Sequence, residues 1–238
     1  MSDATLRGVL LDVEGTTSAV SYVYDVMFPY AREHAGRYLA EHLAKPDAKA
    51  AGEQMARDAG HESLADATED GPAAWLLAET HRLMDGDVKA TGLKQLQGLI
   101  WEAGFKSGEL KAHVFPDVPP ALAAWRTAGV DVRIYSSGSV HAQRLFFAHT
   151  QAGDLSPRIS GNYDTTTGPK REAESYRRIA LDWGLPAGGV LFLSDVIEEL
   201  EAAATAGMQT ALVVRPGNKP VADGHGHRTI GSFAELIG

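Results

Sequence analysis

The stretch LLDVEGTT, residues 10–17, decides the fold of this 238-residue chain. The apolar run that begins at Val9 and ends at Asp12 is typical of a buried strand, and Glu14 and Gly15 then indicate a turn. A carboxylate at a strand end can attack a phosphate ester if a cation screens the charge repulsion. Because side chains alternate along an extended chain, Glu14 is placed to face the same side as Asp12. A strand that ends in Asp before a turn is also common for structural reasons, since Asp bonds its own backbone there.

Composition limits the class of protein and of partner. Hydrophobic residues make up 44% and charged residues 22% of the chain, as in an ordinary globular protein, and no apolar stretch approaches the roughly 20 residues of a membrane span. The beginning, MSDATLRG, lacks a signal-peptide pattern, and no cysteine is present for disulfides or for a cysteine nucleophile. We therefore expect a cytoplasmic protein with no membrane partner, acting as a monomer.

The net charge of −9 argues against nucleic acid as a partner, because such binding depends on cationic contacts to phosphates. A small phosphorylated metabolite needs only a few local cations and a metal, which an acidic protein can provide.

The spacing of apolar residues divides the chain into two domains. From about residue 22 to 108 they recur at helical spacing, which predicts an inserted helical domain. The rest alternates between strand and helix, and this alternation predicts a mostly parallel sheet whose ligands lie beyond the carboxyl ends of the strands. We expect a core domain at 1–17 and 114–238 and a helical cap domain at 18–113. The expected strands are 6–11, 130–135, a short segment near 158–161, VLFLS from Val190 and a final ALVVR; the expected helices include 140–149 and 169–183.

Polar residues follow two further strands. Ser136 and Ser137 come after VDVRIY where a helix begins, a geometry that binds phosphate oxygens, although Ser at a helix start is more often a cap. Asp195 follows VLFLS, so a second acid reaches the sheet edge that carries Asp12, and two such carboxylates suggest Mg²⁺. An Asp in this position is also commonly a helix cap.

Lys170 follows Gly168-Pro169 at the expected start of a helix, where a cation is unfavourable unless something negative compensates it. A bound phosphate would do so; a solvated lysine on a polar turn is the alternative.

In this order, the segments DVEG, YSSGS, GPK and FLSD resemble the four motifs of the haloacid dehalogenase superfamily. Its members are mostly Mg²⁺-dependent phosphatases that act through an aspartyl-phosphate. The superfamily usually has a second Asp two residues after the nucleophile, whereas this chain has Glu14, and that departure points to one branch. Residues 12–33, 93–118, 134–147 and 192–210 resemble the acireductone synthases, the enolase-phosphatases of methionine salvage, and the similarity spans nearly the whole chain.

The resemblance implies an α/β fold with a Rossmann-like, mostly parallel sheet flanked by helices and an inserted all-helical cap. It implies that Asp12 is the nucleophile, with Glu14 and Lys170 as further catalytic residues. The residues that would hold Mg²⁺ are Asp12, Glu14 and Asp195, and those that would bind the substrate phosphate are Ser136, Ser137 and Lys170. In the superfamily pattern the residue at Glu14 meets the metal through its backbone carbonyl, which leaves its side chain for proton transfer.

Glu198 and Glu199 fall where other superfamily members place an extra acid. Either can orient Asp195 or the metal waters, and a solvated helix face is the plainer interpretation.

The implied reaction converts 2,3-diketo-5-methylthiopentyl-1-phosphate to an enediol phosphate and then to acireductone (1,2-dihydroxy-3-keto-5-methylthiopentene) plus phosphate. Three alternatives stay open on the sequence. They are a phosphatase of another small phosphorylated metabolite, a dehalogenase that needs no Mg²⁺, and a non-catalytic binding module that keeps the phosphate site.

Overall fold

The computed structural model describes residues 5–68, 71–222 and 224–237. The chain divides into two compact units, one formed by Met1–Tyr22 with Lys111–Gly238 and the other by Val23–Leu110. The boundaries between the units thus fall after Tyr22 and before Lys111, whereas the sequence pattern predicted them after residue 17 and before residue 114.

In the unit Val23–Leu110, all the regular secondary structure of the described residues is helical. A π-helical turn, Val23–Met27, leads into helices α1 (Phe28–His42), α2 (Pro46–Asp58), α3 (Pro72–Asp85) and α4 (Thr91–Ser107). Proline in the first turn of α1, α2 and α3 suits a helix start, where the missing N–H would have no intrahelical partner. The apolar faces meet in a core that includes Leu39, Met55, Leu76, Leu96 and Ile100.

Helices α2 and α4 approach each other closely at Gly92. A Cβ atom on Gly92 would lie 2.4 Å from the backbone nitrogen of Met55, so only glycine permits this contact between the two backbones.

In the described part of the other unit, six strands form one sheet: β1 (Gly8–Leu11), β2 (Asp131–Tyr135), β3 (Gly161–Tyr163), β4 (Val190–Ser194), β5 (Gln209–Val213) and β6 (Arg228–Ile230). The order is β3-β2-β1-β4-β5-β6, and every pairing between neighbours is parallel. This confirms the predicted mostly parallel sheet. β1 and β4 are buried along their whole length, which is why both are apolar runs and not alternating patterns.

In the described part of this unit, four longer helices accompany the sheet, α5 (Val118–Thr127), α6 (Val140–Ala148), α7 (Ala173–Trp183) and α8 (Ile197–Thr205), and a single helical turn spans Val20–Tyr22. Short 3₁₀ turns occur at Ser156–Arg158, Ala187–Gly189 and Phe233–Leu236. Helix α7 contributes Tyr176, Ile179 and Trp183 to the core that the strand residues Leu10 and Phe192 share. Among the described residues, no helix combines the length and the apolar character that crossing a membrane requires.

The structure differs from the sequence-based prediction at three elements. The short segment expected near 158–161 is a 3₁₀ turn at Ser156–Arg158 followed by strand β3 at Gly161–Tyr163. Helix α7 begins at Ala173 and not at Pro169, because Ser175 and Tyr176 donate hydrogen bonds to the carbonyls of Pro169 and Lys170 and hold that segment as a turn. ALVVR is also not the final strand. β6 follows it, a three-residue edge strand in which only Ile230 is buried, so its sequence carries almost no strand pattern.

Candidate active site

Asp12 lies one residue beyond the end of the central strand β1 and is buried. Its backbone N–H donates to the Leu193 carbonyl at 3.0 Å, which continues the ladder between β1 and β4. One carboxylate oxygen, Oδ1, accepts from the backbone N–H of Val13 at 2.7 Å. Burial between two parallel strands fixes this side chain at the carboxyl edge of the sheet, where ligands of such sheets bind.

Lys170 joins Asp12 to a second acid. Its Nζ lies 2.7 Å from Asp12 Oδ1 and 2.7 Å from Glu199 Oε2, and the Lys170 side chain is only 11% exposed. The hydroxyl of Ser194 donates to Glu199 Oε2 at 3.0 Å. The turn that precedes α7 therefore delivers an ammonium group into a buried cluster of acids.

The ionisation of this cluster is set by burial and by charge together. Burial lowers the pKa of Lys170, but the charges of Asp12 and Glu199 outweigh burial and hold its pKa above the usual value, so the ammonium stays protonated. Burial and the charge of Asp12 raise the pKa of Glu199, since the two acids share a single ammonium.

Asp195 lies beside the loop that follows Asp12. A Cβ atom on Gly15 would lie 2.2 Å from Asp195 Oδ2, and Gly15 has a φ of +72°, so this approach requires glycine on both counts. Burial and the charge of Asp12 raise the pKa of Asp195 to about 6. The two carboxylates repel each other in the folded protein.

These residues fit a divalent cation. Asp12, Asp195 and Glu199 supply three carboxylates against the one ammonium of Lys170, which leaves an excess of negative charge among buried groups. Carboxylate oxygens are the ligands that Mg²⁺ prefers. In the parts of the chain that the structure describes, no three His, Asp or Glu side chains are grouped as a metal site by themselves. A third protein ligand would accordingly be a backbone oxygen, the role that the resemblance implies for Glu14.

The residues predicted to bind phosphate differ in exposure. Ser136 follows β2 and is buried, and its Oγ accepts from the backbone N–H of Gly138 at 3.3 Å. Ser137 is exposed, as is Glu14. The helix N-cap is Ser139, whose hydroxyl accepts from the Ala142 N–H at 3.2 Å, so capping is not the role of Ser136 or Ser137.

The chain beyond β5 holds the loop after Asp12. Buried Arg215 donates from Nε to the Thr16 carbonyl at 3.1 Å and forms an ion pair of 2.9 Å with Asp117. Asn218 donates from Nδ2 to the Gly15 carbonyl at 2.9 Å. These side chains fix the backbone of the turn without entering the acidic cluster.

The structure thus brings Asp12 and Lys170 into direct contact and places Asp195 next to the same loop. Glu199 is the residue that sequence reasoning undervalued, because a charged residue on a helix is ordinarily solvated whereas this one is buried. The sequence signal for Glu199 was its spacing of four residues from Asp195, which is about one helical turn. Arg215 and Asn218 carried no such signal.

Comparisons with known proteins identify the family of this chain. A family profile described as haloacid dehalogenase-like hydrolase matches residues 6–207. "Enolase-phosphatase E1" of Pseudomonas aeruginosa is 47% identical over 233 residues, covering 98% of this chain and 99% of the relative. The protein of the same name from Synechococcus elongatus is 50% identical, with 98% of each chain covered.

Among solved structures, the UTR4 protein of Saccharomyces cerevisiae is 34% identical and superimposes with a TM-score of 0.78, covering 96% of this chain and 98% of that one. The chain therefore belongs to the haloacid dehalogenase-like hydrolases and, within them, to the family of the enolase-phosphatase E1 proteins.

Proposed function

We propose that this protein is the enolase-phosphatase that converts 2,3-diketo-5-methylthiopentyl-1-phosphate to acireductone and phosphate. The observation that carries the proposal is the buried contact between Asp12 and Lys170, in a chain about half identical to enolase-phosphatases along nearly its whole length. The function was predicted from the sequence, and the names of these relatives support it.

Phosphoryl transfer begins at Asp12. A carboxylate oxygen of Asp12 forms a bond to phosphorus, the phosphorus–oxygen ester bond breaks, and the electron pair leaves with the enediol oxygen. Water then attacks the aspartyl-phosphate, which releases inorganic phosphate and restores the carboxylate. Lys170 holds Asp12 in place through the 2.7 Å contact and offsets the negative charge that gathers as the phosphoryl group approaches.

Mg²⁺ would be held by the carboxylates of Asp12 and Asp195 with the backbone carbonyl of Glu14. When bound, it supplies positive charge that reduces the repulsion between the acids and an anionic phosphate.

Ser136 and Ser137 bind the phosphate oxygens from the neighbouring strand. Ser136 Oγ already accepts a hydrogen bond from Gly138, so its own hydrogen is available as a donor toward a ligand. Glu14 is exposed, and its side chain protonates the leaving enediol oxygen. The preceding enolisation moves a proton from carbon to oxygen within the substrate, and phosphate loss then follows from the enediol form.

A turnover assay with the diketo phosphate, with and without Mg²⁺, tests the proposal. We expect an ultraviolet-absorbing enediol intermediate to appear before inorganic phosphate, and chelation to stop phosphate release. Phosphate release without that intermediate, from unrelated esters as readily as from the diketo phosphate, would instead identify a phosphatase of another small metabolite. Activity that survives chelation would contradict the Mg²⁺ requirement.

We also propose that the protein acts in the cytoplasm as a monomer. All the residues of the acidic cluster come from one chain, and the chain has no cysteine that an oxidising compartment would pair. Light scattering in solution tests the monomeric state, and a stable dimer would contradict it.

A further inference from the structure

Gln143 is a buried amide whose side chain has no role in the chemistry proposed above. It lies in α6, four residues after the N-cap Ser139, and is 4% exposed. A buried amide must satisfy two donors and an acceptor, so its partners show what it holds together.

Its donor nitrogen reaches three backbone carbonyls. Nε2 of Gln143 lies 2.7 Å from the Gly138 oxygen, 2.8 Å from the Tyr163 oxygen and 3.5 Å from the Ser136 oxygen. Two of these carbonyls belong to the segment 136–138, which we name the serine loop, and the third ends the neighbouring strand β3. The side chain of Gln143 therefore connects the serine loop to the end of strand β3.

A hydrogen bond from Asn162 fixes the orientation of the Gln143 amide. Gln143 Oε1 accepts from Asn162 Nδ2 at 3.1 Å, and this contact directs Nε2 toward the carbonyls. If the amide were turned over, Oε1 would face the oxygens of Gly138 and Tyr163, and acceptors would oppose acceptors.

The far side of the serine loop is fixed as well. Asp164 Oδ2 accepts from the Val140 N–H at 3.1 Å, and Ser136 N–H donates to the Tyr163 carbonyl at 3.2 Å. The Gly138 peptide is held on both sides, because its N–H donates to Ser136 Oγ at 3.3 Å and its carbonyl accepts from Gln143 Nε2 at 2.7 Å.

We propose that Gln143 is a positioning residue that holds the serine loop in the shape that receives a phosphate group, with Asn162 orienting it. The inference rests on the proposed function only in taking phosphate as the ligand of this loop, and it does not depend on enolisation. Loss of the Gln143 contacts should weaken phosphate binding far more than it slows phosphoryl transfer to bound substrate, because Asp12 is anchored by β1 and β4 and Lys170 by the turn that precedes α7.

The test measures hydrolysis of p-nitrophenyl phosphate with Mg²⁺ and its competitive inhibition by inorganic phosphate. For Gln143→Met, which keeps the size but removes the donors, we expect KM and the phosphate inhibition constant to rise about tenfold. We expect kcat to fall by less than about threefold, since the nucleophile is untouched. The Mg²⁺ concentration for half-maximal activity should not change.

A second variant guards against a protein that fails to fold. Asn162→Asp keeps Gln143 and almost the same volume, but it replaces the donor with an acceptor and so turns the Gln143 amide over. It should raise the same two constants. Leu122→Ala is the matched control, because it removes buried contacts in the same unit and lowers the melting temperature without touching the serine loop.

The outcomes separate this inference from the proposed function. If the wild-type protein hydrolyses the ester and binds phosphate but both variants match it, Gln143 is not a positioning residue and the phosphatase stands. An equal rise in the constants for Leu122→Ala would reduce the effect to lost stability and would also overturn the inference. If the wild type neither hydrolyses the ester nor binds phosphate, the phosphatase itself is contradicted, and the inference with it.

Discussion

The ammonium group of Lys170 contacts two carboxylates, those of Asp12 and Glu199, and its side chain is largely shielded from water. Such a lysine stabilises the folded protein less through attraction than by preventing Asp12 and Glu199 from lying unpaired in the interior. The same arrangement places a positive charge 2.7 Å from the Asp12 carboxylate that we propose as the nucleophile.

Lys170→Met should therefore destabilise the protein by about 3–5 kcal/mol, because it leaves two buried acids without their cation. Chemical denaturation measures this loss. Adding Glu199→Gln to the same variant should restore part of the stability, since one of the uncompensated charges is gone. Lys106→Met is the control. Lys106 forms an ion pair of 2.5 Å with Glu102, but its side chain is 63% exposed, so losing this pair should lower the free energy of unfolding by less than about 1 kcal/mol. Equal losses for both lysines would show that burial does not decide the effect.

Asp12→Asn should lower phosphate release by at least about a thousandfold, because an amide cannot attack phosphorus. The fold should survive, since Lys170 keeps Glu199 as a partner and the repulsion on Asp195 is relieved. Phosphate release and thermal unfolding measure the two effects. Asp182→Asn, at an exposed carboxylate that pairs with Arg133, should keep full activity. Turnover of the Asp12 variant within tenfold of wild type would remove Asp12 from the role of nucleophile.

Among the elements, the turn between β1 and the helical unit depends on Gly15. Gly15→Ala combines a left-handed backbone, at a cost of about 1–2 kcal/mol, with a collision against Asp195. We expect the Mg²⁺ concentration for half-maximal activity to rise, because Asp195 must move. Gly129→Ala is closely matched: its φ is also +72°, but nothing lies within 4 Å of the added Cβ. It should lose similar stability with no change in the Mg²⁺ titration, and identical titrations for both variants would contradict the contact with Asp195.

The strands could be predicted from sequence where burial on both faces leaves a continuous apolar run, as in β1 and β4. Because parallel strands end at one edge, the same reasoning placed Asp12, Ser136 and Asp195 near one another. Sequence reasoning failed where the structure of a segment depends on contacts with side chains from other elements. The start of α7 depends on side chains that hold the Lys170 turn, and the burial of Glu199 depends on Lys170, so neither follows from local pattern.

For the molecule as a whole, His113 links stability to pH. Its Nδ1 accepts from the backbone N–H of Ala19 at 3.2 Å and lies 3.3 Å from the Ser18 hydroxyl, so the ring must be neutral there. Burial lowers the pKa of His113 below its usual 6.5. The unfolded chain therefore binds this proton more readily, and the contribution of His113 to folding stability falls as the pH drops below about 6.5, whereas the raised pKa values of Asp195 and Glu199 act in the opposite direction.

Unfolding by urea at pH 7.5 and pH 5.5 measures this dependence. His113→Gln keeps a hydrogen-bond acceptor but has no titrating ring. On going from pH 7.5 to pH 5.5, this variant should therefore lose less unfolding free energy than the wild type. His61→Gln, at a histidine of the helical unit, is the control and should leave the loss as in wild type. An undiminished loss in the His113 variant would exclude that histidine as its source.

The place of β1 at the centre of the sheet has a consequence for how the protein is made. Of the described strands, β1, which ends just before Asp12, is translated before the others, yet its partners β2 and β4 begin at Asp131 and Val190, and Asn218 anchors the loop after Asp12. At about 5–20 residues per second, synthesis takes about 10–40 s to pass from the first strand to that anchor. Until β4 has been translated, Val9, Leu10 and Leu11 lack at least one of the two strands that cover them, so the nascent chain is open to aggregation or to capture by a chaperone during much of this time.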